Sequence, residues 1–124
     1  VMLGLERRVR KPSFLAFCGA LLAASAVALS AYAAHGIGDP LAQSRLHTAA
    51  LQAFGHGAVL AVLGPASLNL LGRTALYVLL LGVLLFAGSV AGGVLLGWPT
   101  TLAPAGGMAL IGGWVLFALS ALRR

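Results

Sequence analysis

The sequence predicts an all-α integral membrane protein, a four-helix bundle running up-down-up-down with both termini in the cytoplasm. Three observations lead there. Of the 124 residues, 60% are hydrophobic and 8% are charged, whereas an ordinary soluble domain has about a quarter of its residues charged. Apolar runs of bilayer-spanning length occur four times in succession. Basic residues collect at the ends of those runs, where orienting charges of membrane proteins sit. At this length the runs form one domain.

Residues 1–12 read as a basic cytoplasmic segment carrying Arg7, Arg8, Arg10 and Lys11. Span one covers about 13–34, and its twenty-two residues give about 33 Å of helix, enough for the hydrocarbon core. Basic residues, an apolar run and Ala31-Tyr32-Ala33 together resemble a secretory signal with an Ala-x-Ala cleavage site. The run is longer than a signal core, so a retained span is the expectation. Gly36 to Gln43, with Gly38-Asp39-Pro40, reads as an external turn. Span two covers about 44–64 and stops before Pro65, which a helix does not easily continue through. Span three covers about 74–97. Trp98-Pro99-Thr100-Thr101 makes the next turn, span four covers about 102–122, and Arg123 and Arg124 form a basic C-terminus.

Orientation follows from the basic residues. In a four-span chain, the N-terminus, the loop 66–73 and the C-terminus share one side. Of the eight Lys and Arg residues, only Arg45 falls on the other side, together with Asp39. The positive-inside rule then places both termini in the cytoplasm, with Tyr32 and Trp98 near the outer interface. The formal charge of +6 therefore belongs to topology. No basic patch with interleaved aromatics points to nucleic acid. The single cysteine, Cys18, lies at the start of an apolar run. It reads as a small buried hydrophobe, since a lipoprotein cysteine would follow the run.

In lipid, helices associate through close backbone approach and interhelical hydrogen bonds. Small residues are dense in span one (Gly19, Ala20, Ala23), in span three (Gly88, Gly92, Gly93) and in span four (Gly106, Gly107, Gly112, Gly113). Gly88 and Gly92 form a GxxxG pair, expected to pack within the monomer, with contact between copies as the alternative. Trp114 sits midway along span four, too deep for the interfacial aromatic belt. Its indole N–H needs an acceptor. A carbonyl near the span-three glycines or the hydroxyl of Ser89 is the expected one, with the ring packed on a glycine surface.

Span two departs from the apolar pattern. At 100° per residue, Arg45, Gln52 and His56 fall within about 40° of one another, with Thr48 on the same side and His47 almost opposite. The stripe enters from the outer interface and ends about three turns deeper at His56. A polar group at that depth normally faces the bundle interior or a partner. His56 is expected to be hydrogen-bonded across helices to Ser25, Ser89 or a backbone carbonyl. The alternatives are a step in a proton or ion pathway, contact with a ligand or another subunit, or metal ligation. No Cys/His spacing resembles a metal site, and no cofactor is expected. His35 at the end of span one is expected to cap that helix or pair with Asp39. Arg45 is expected to reach the outer headgroups or pair with Asp39. The two acidic residues, Glu6 and Asp39, lie outside the spans on opposite sides, and no nucleophile sits beside an evident base. An enzyme is not expected.

Four segments in order resemble a known family. Ala31-Tyr32-Ala33-Ala34-His35-Gly36 is similar to the "GAFGAH" end of its first helix. Thr48 and His56 match its T-x7-H pattern. Leu85-Phe86-Ala87-Gly88-Ser89 is similar to "LFSGS". Pro104-Ala105-Gly106-Gly107 followed by Gly113-Trp114 is similar to "TPxGG" and "GW". Over about residues 13–122 the chain thus resembles the small membrane proteins of domain-of-unknown-function family 423, related to transmembrane protein 256. The resemblance implies a four-helix bacterial inner-membrane protein with the topology above, and no catalytic activity. The chain departs from the family pattern at Gln52, Ala87 and Ala103, where Tyr, Ser and Thr are common. The expected function is a non-enzymatic accessory or assembly subunit of a larger membrane complex. The alternative is a small-molecule, lipid or proton-handling protein using Arg45, Thr48, Gln52 and His56. Expected partners are the lipid bilayer and either such a complex or further copies of the chain.

Overall fold

The computed structural model describes residues 12–123. Arg7, Arg8, Arg10 and Lys11 of the expected basic segment, and Arg124, lie outside the described residues. Four α-helices follow one another: α1 (Phe14–Gly36), α2 (Pro40–Leu63), α3 (Leu70–Leu96) and α4 (Ala103–Ser120). All four are long and apolar enough to cross a membrane, and no strand occurs among the described residues. The chain is an all-α, multi-pass membrane protein.

Polar residues cap the first three helices, and those before α2 and α3 start these two helices four residues earlier than expected. Ser13 caps α1, its Oγ accepting from the Ala16 N–H at 3.1 Å. Asp39 caps α2, accepting from the Ala42 N–H at 2.9 Å. Pro40 follows at the first turn, where its missing N–H leaves no bond unmade. The expected external turn 36–43 is therefore a three-residue link, and α2 begins four residues earlier than expected. Asn69 does the same for α3, accepting from the Gly72 N–H at 2.8 Å. Arg73, expected in a loop, lies within the first turn of that helix. At the far end of α3, Gly97 adopts φ 70°, a left-handed cap that suits glycine.

The helices pack in a chain of neighbours. α1 lies on α2, α2 on α3 and α3 on α4, with a light contact between α1 and α3 and none between α1 and α4. Glycine sets the two closest approaches. A Cβ on Gly19 would meet the Gly57 carbonyl oxygen at 2.5 Å, and a Cβ on Gly57 would meet the Gly19 oxygen at 2.6 Å. Between α3 and α4, a Cβ on Gly82 would meet the Leu110 nitrogen at 2.9 Å, and one on Gly106 would strike the backbone of Phe86. Leu15 and Leu60 fill the α1–α2 side of the core, and Leu76, Leu79 and Val83 fill the centre. Both close pairs are antiparallel: the start of α1 at Ser13 meets the end of α2 at Gly64, and Asn69 at the start of α3 reaches Ser120 at the end of α4.

The GxxxG pair of α3 does not pack one helix on another. Gly88 faces open space, and Gly92 is covered by the Trp98 ring from the loop that follows its own helix. The physical reason is the rotation of α3, whose α4-facing stripe runs through Leu79, Gly82 and Phe86 instead.

Candidate functional site

The deepest polar contact joins α2 to α4. His56 Nδ1 lies 2.9 Å from the Gln52 carbonyl oxygen, one turn back on its own helix. A carbonyl can only accept, so Nδ1 carries the proton. The Trp114 indole N–H donates to His56 Nε2 at 3.0 Å. The two bonds fix one tautomer, with the lone pair on Nε2 aimed at the indole. The rings lie 5.8 Å apart and are tilted by 49°. Phe117 meets the tryptophan edge-on at 6.2 Å, a favourable aromatic geometry.

The acceptor for Trp114 is thus His56, not a span-three carbonyl or Ser89, and the tryptophan is half-exposed beside α2, not seated on glycines. Ser89 is buried at the other end of the α3–α4 pair, where it lines a recess with Trp98 and Pro99. The proton on His56 goes to its own helix, where a bond across helices was one expectation.

The rest of the stripe is turned differently from the inward orientation expected. Arg45 and Thr48 are exposed, while Gln52 and His56 are half-buried. The Thr48 hydroxyl donates to the Ser44 carbonyl at 3.0 Å within α2. The buried residues Leu46, Ala49, Ala53 and Leu60 lie on the adjoining flank of the helix, centred about 70° round from the stripe at 100° per residue. The stripe lies along a flank of α2, beside a shallow groove of about 310 Å³ formed with α3 and α4 by Gln52, His56, Phe86, Leu110, Ile111 and Trp114. Asp39, a possible partner for His35 and Arg45, is used as the α2 cap. His35 is exposed at the end of α1. A larger open groove of about 770 Å³ runs between α1 and α2 on the other flank; its lining is apolar apart from Ser30 and His47.

At the end of the bundle holding Ser13, Gly64 and Ser120 there is a polar network that sequence reading missed. The Asn69 carboxamide caps α3 and also donates to the carbonyls of Ser120 and Arg123, both at 3.1 Å. Arg73 Nη2 donates to the carbonyls of Ala66 at 2.9 Å and Gly64 at 3.3 Å, closing the end of α2. The signal for Asn69 was present, since an Asn directly before an apolar run is an N-cap pattern. Among the described residues, no group of three or more His, Cys, Asp or Glu is placed to hold a metal ion.

No protein-family model, curated protein or solved structure matches the chain.

Proposed function

We propose that the chain is a non-enzymatic inner-membrane protein, an accessory or assembly subunit of a larger membrane complex. Its helices run up-down-up-down with both termini in the cytoplasm. The reading rests on where the polar side chains go. Ser13, Asp39 and Asn69 cap helices, Arg73 closes a helix end, and His56 and Trp114 tie α2 to α4. These groups hold helices in register, as a scaffold requires. Large side chains such as Leu51, Val62, Ile111 and Val115 point outward from the helices, offering surface to lipid and to other membrane proteins. The resemblance to family 423 supports the same topology and adds no chemistry.

His56 supports this reading over proton handling. Both its nitrogens are engaged, one on a backbone carbonyl and one on an indole N–H, so relaying a proton would first break one of those bonds. The test is extraction of the native membrane into lipid-bearing polymer discs, followed by affinity capture and mass analysis. The expected result is one set of other membrane proteins recovered in fixed proportion to the chain. Recovery of the chain with no other protein in fixed proportion overturns the proposal.

A further inference from the structure

Among the described residues, α2 and α4 each pack on α3 and not on one another. The His56–Trp114 bond crosses the gap between them. Beside that bond the gap is the groove of about 310 Å³, with Gln52 and His56 of α2 along one wall, Gly107, Ile111 and Trp114 of α4 along the other, and Phe86 of α3 between. A Cβ on Gly107 would meet only the Phe86 ring, at 3.8 Å, so the glycine keeps the α4 wall low. Gln52 is half-buried there. It lies about 18 Å along α2 from Pro40 and about 17 Å from Leu63, at the middle of the span. Ser30, Thr74 and Ser89 also line recesses, but each sits nearer a helix end, and a hydroxyl can turn its proton back to a carbonyl of its own helix. A carboxamide carries two N–H donors and an acceptor, and at mid-membrane no water meets them. The His56 nitrogens are held by the Gln52 backbone and the Trp114 N–H, so the carboxamide is the group this groove presents to a ligand.

We propose that this groove binds the ring of a membrane quinone, with Phe86 and Trp114 beside the ring and one ring carbonyl accepting from the Gln52 carboxamide. Depth, size and lining select that class. A phospholipid keeps its phosphate and ester groups at the interface, whereas Gln52 is about 17 Å from the nearer end of its helix. An uncharged, lipid-soluble molecule is what brings a carbonyl to that level. A volume of about 310 Å³ is at the small end of ligand sites, about 300–1,000 Å³, so it takes a ring and leaves the tail in the lipid. A flat ring packs on aromatic side chains in offset or edge-on geometry, a fit that an alkyl chain does not use. The site stands apart from the role proposed above, because every group in it comes from this one chain.

The test uses the purified chain in lipid bicelles, with decylbenzoquinone as the probe. A quinone quenches indole emission on contact, so Trp114 is read in a Trp98→Phe background and Trp98 in a Trp114→Phe background. Quenching of Trp114 is expected to saturate, and quenching of Trp98 to rise linearly with the quinone dissolved in the lipid. Gln52→Leu is expected to weaken the saturable part roughly tenfold, the loss of one membrane hydrogen bond. Its Trp114 emission without quinone should stay unchanged, because His56 binds the backbone of residue 52, and this shows that the variant is folded. Gly107→Leu places a side chain in the groove and should abolish saturation, with thermal unfolding as the check on its fold. Decylbenzene has the ring and the tail but no carbonyl, and is expected not to compete. Linear quenching of Trp114, undiminished saturation in Gln52→Leu or in a folded Gly107→Leu, or competition by decylbenzene as strong as the quinone's own binding each overturn the proposal.

Discussion

At the residue scale, the His56–Trp114 bond is the contact most open to measurement. The indole N–H and the imidazole lone pair each have one partner, and in lipid neither has water to fall back on. Membrane hydrogen bonds of this kind contribute about 0.5–2 kcal/mol. His56→Phe and Trp114→Phe are each expected to destabilise the fold by about that much, measured by unfolding in bicelles. Combined, they should cost less than the sum of the two, because the second change removes a partner already stranded by the first. Strict additivity would show that the bond contributes nothing. Against a Trp98→Phe background, His56→Phe should also shift Trp114 emission to shorter wavelength as the indole loses its polar partner. Sequence alone gave the depth of both residues and the need for partners. It could not give the pairing, which depends on how α2 and α4 are rotated about their axes.

At the element scale, glycines that look alike in sequence differ in consequence. Gly19 and Gly57 press backbone against backbone, so neither neighbour can yield to a Cβ. Gly57→Leu is therefore expected to force α1 and α2 apart and to destabilise by about 1–3 kcal/mol or more. Gly88→Ala, at a site open to space, should be neutral or stabilising by up to about 1 kcal/mol, since alanine is the better helix former. Thermal unfolding of the two variants in the same lipid separates them, and equal effects would sink the assignment of the α1–α2 contact. Asn69→Ala tests the other kind of element contact. It removes a cap and two ties to the end of α4, and a loss of about 1–3 kcal/mol is expected in the same assay. The spans themselves were legible because length and apolarity suffice to define a membrane helix. Their ends were not, because Asp39-Pro40 reads equally as a turn or as a cap with proline in the first turn. The facing of each helix was less legible still. In lipid the outer surface is as apolar as the core, so the periodicity that orients a soluble helix is lost. The α2 stripe, expected inward, lies along a flank of the helix for that reason.

At the scale of the whole molecule, the arrangement couples polar chemistry to position along the helices. One end of the bundle holds the caps of α1 and α3, the Arg73 contacts and the Asn69 ties. Arg123 joins that end through its carbonyl, so two basic residues outside the N-terminal segment sit there. Arg45 lies near the start of α2, at the opposite end, as the lone basic residue expected there. Because Lys and Arg resist translocation while acidic residues contribute little, this asymmetry should fix one orientation. A reporter that fluoresces only in the cytoplasm, fused after Arg124, is expected to be bright. The same reporter inserted at Gly38, in the exposed link between α1 and α2, should be dark, while an enzyme active only outside the cytoplasm should work at Gly38 and fail after Arg124. Both reporters giving the reverse pattern would invert the topology, and activity of one reporter at both sites would mean that one of α2, α3 and α4 does not cross.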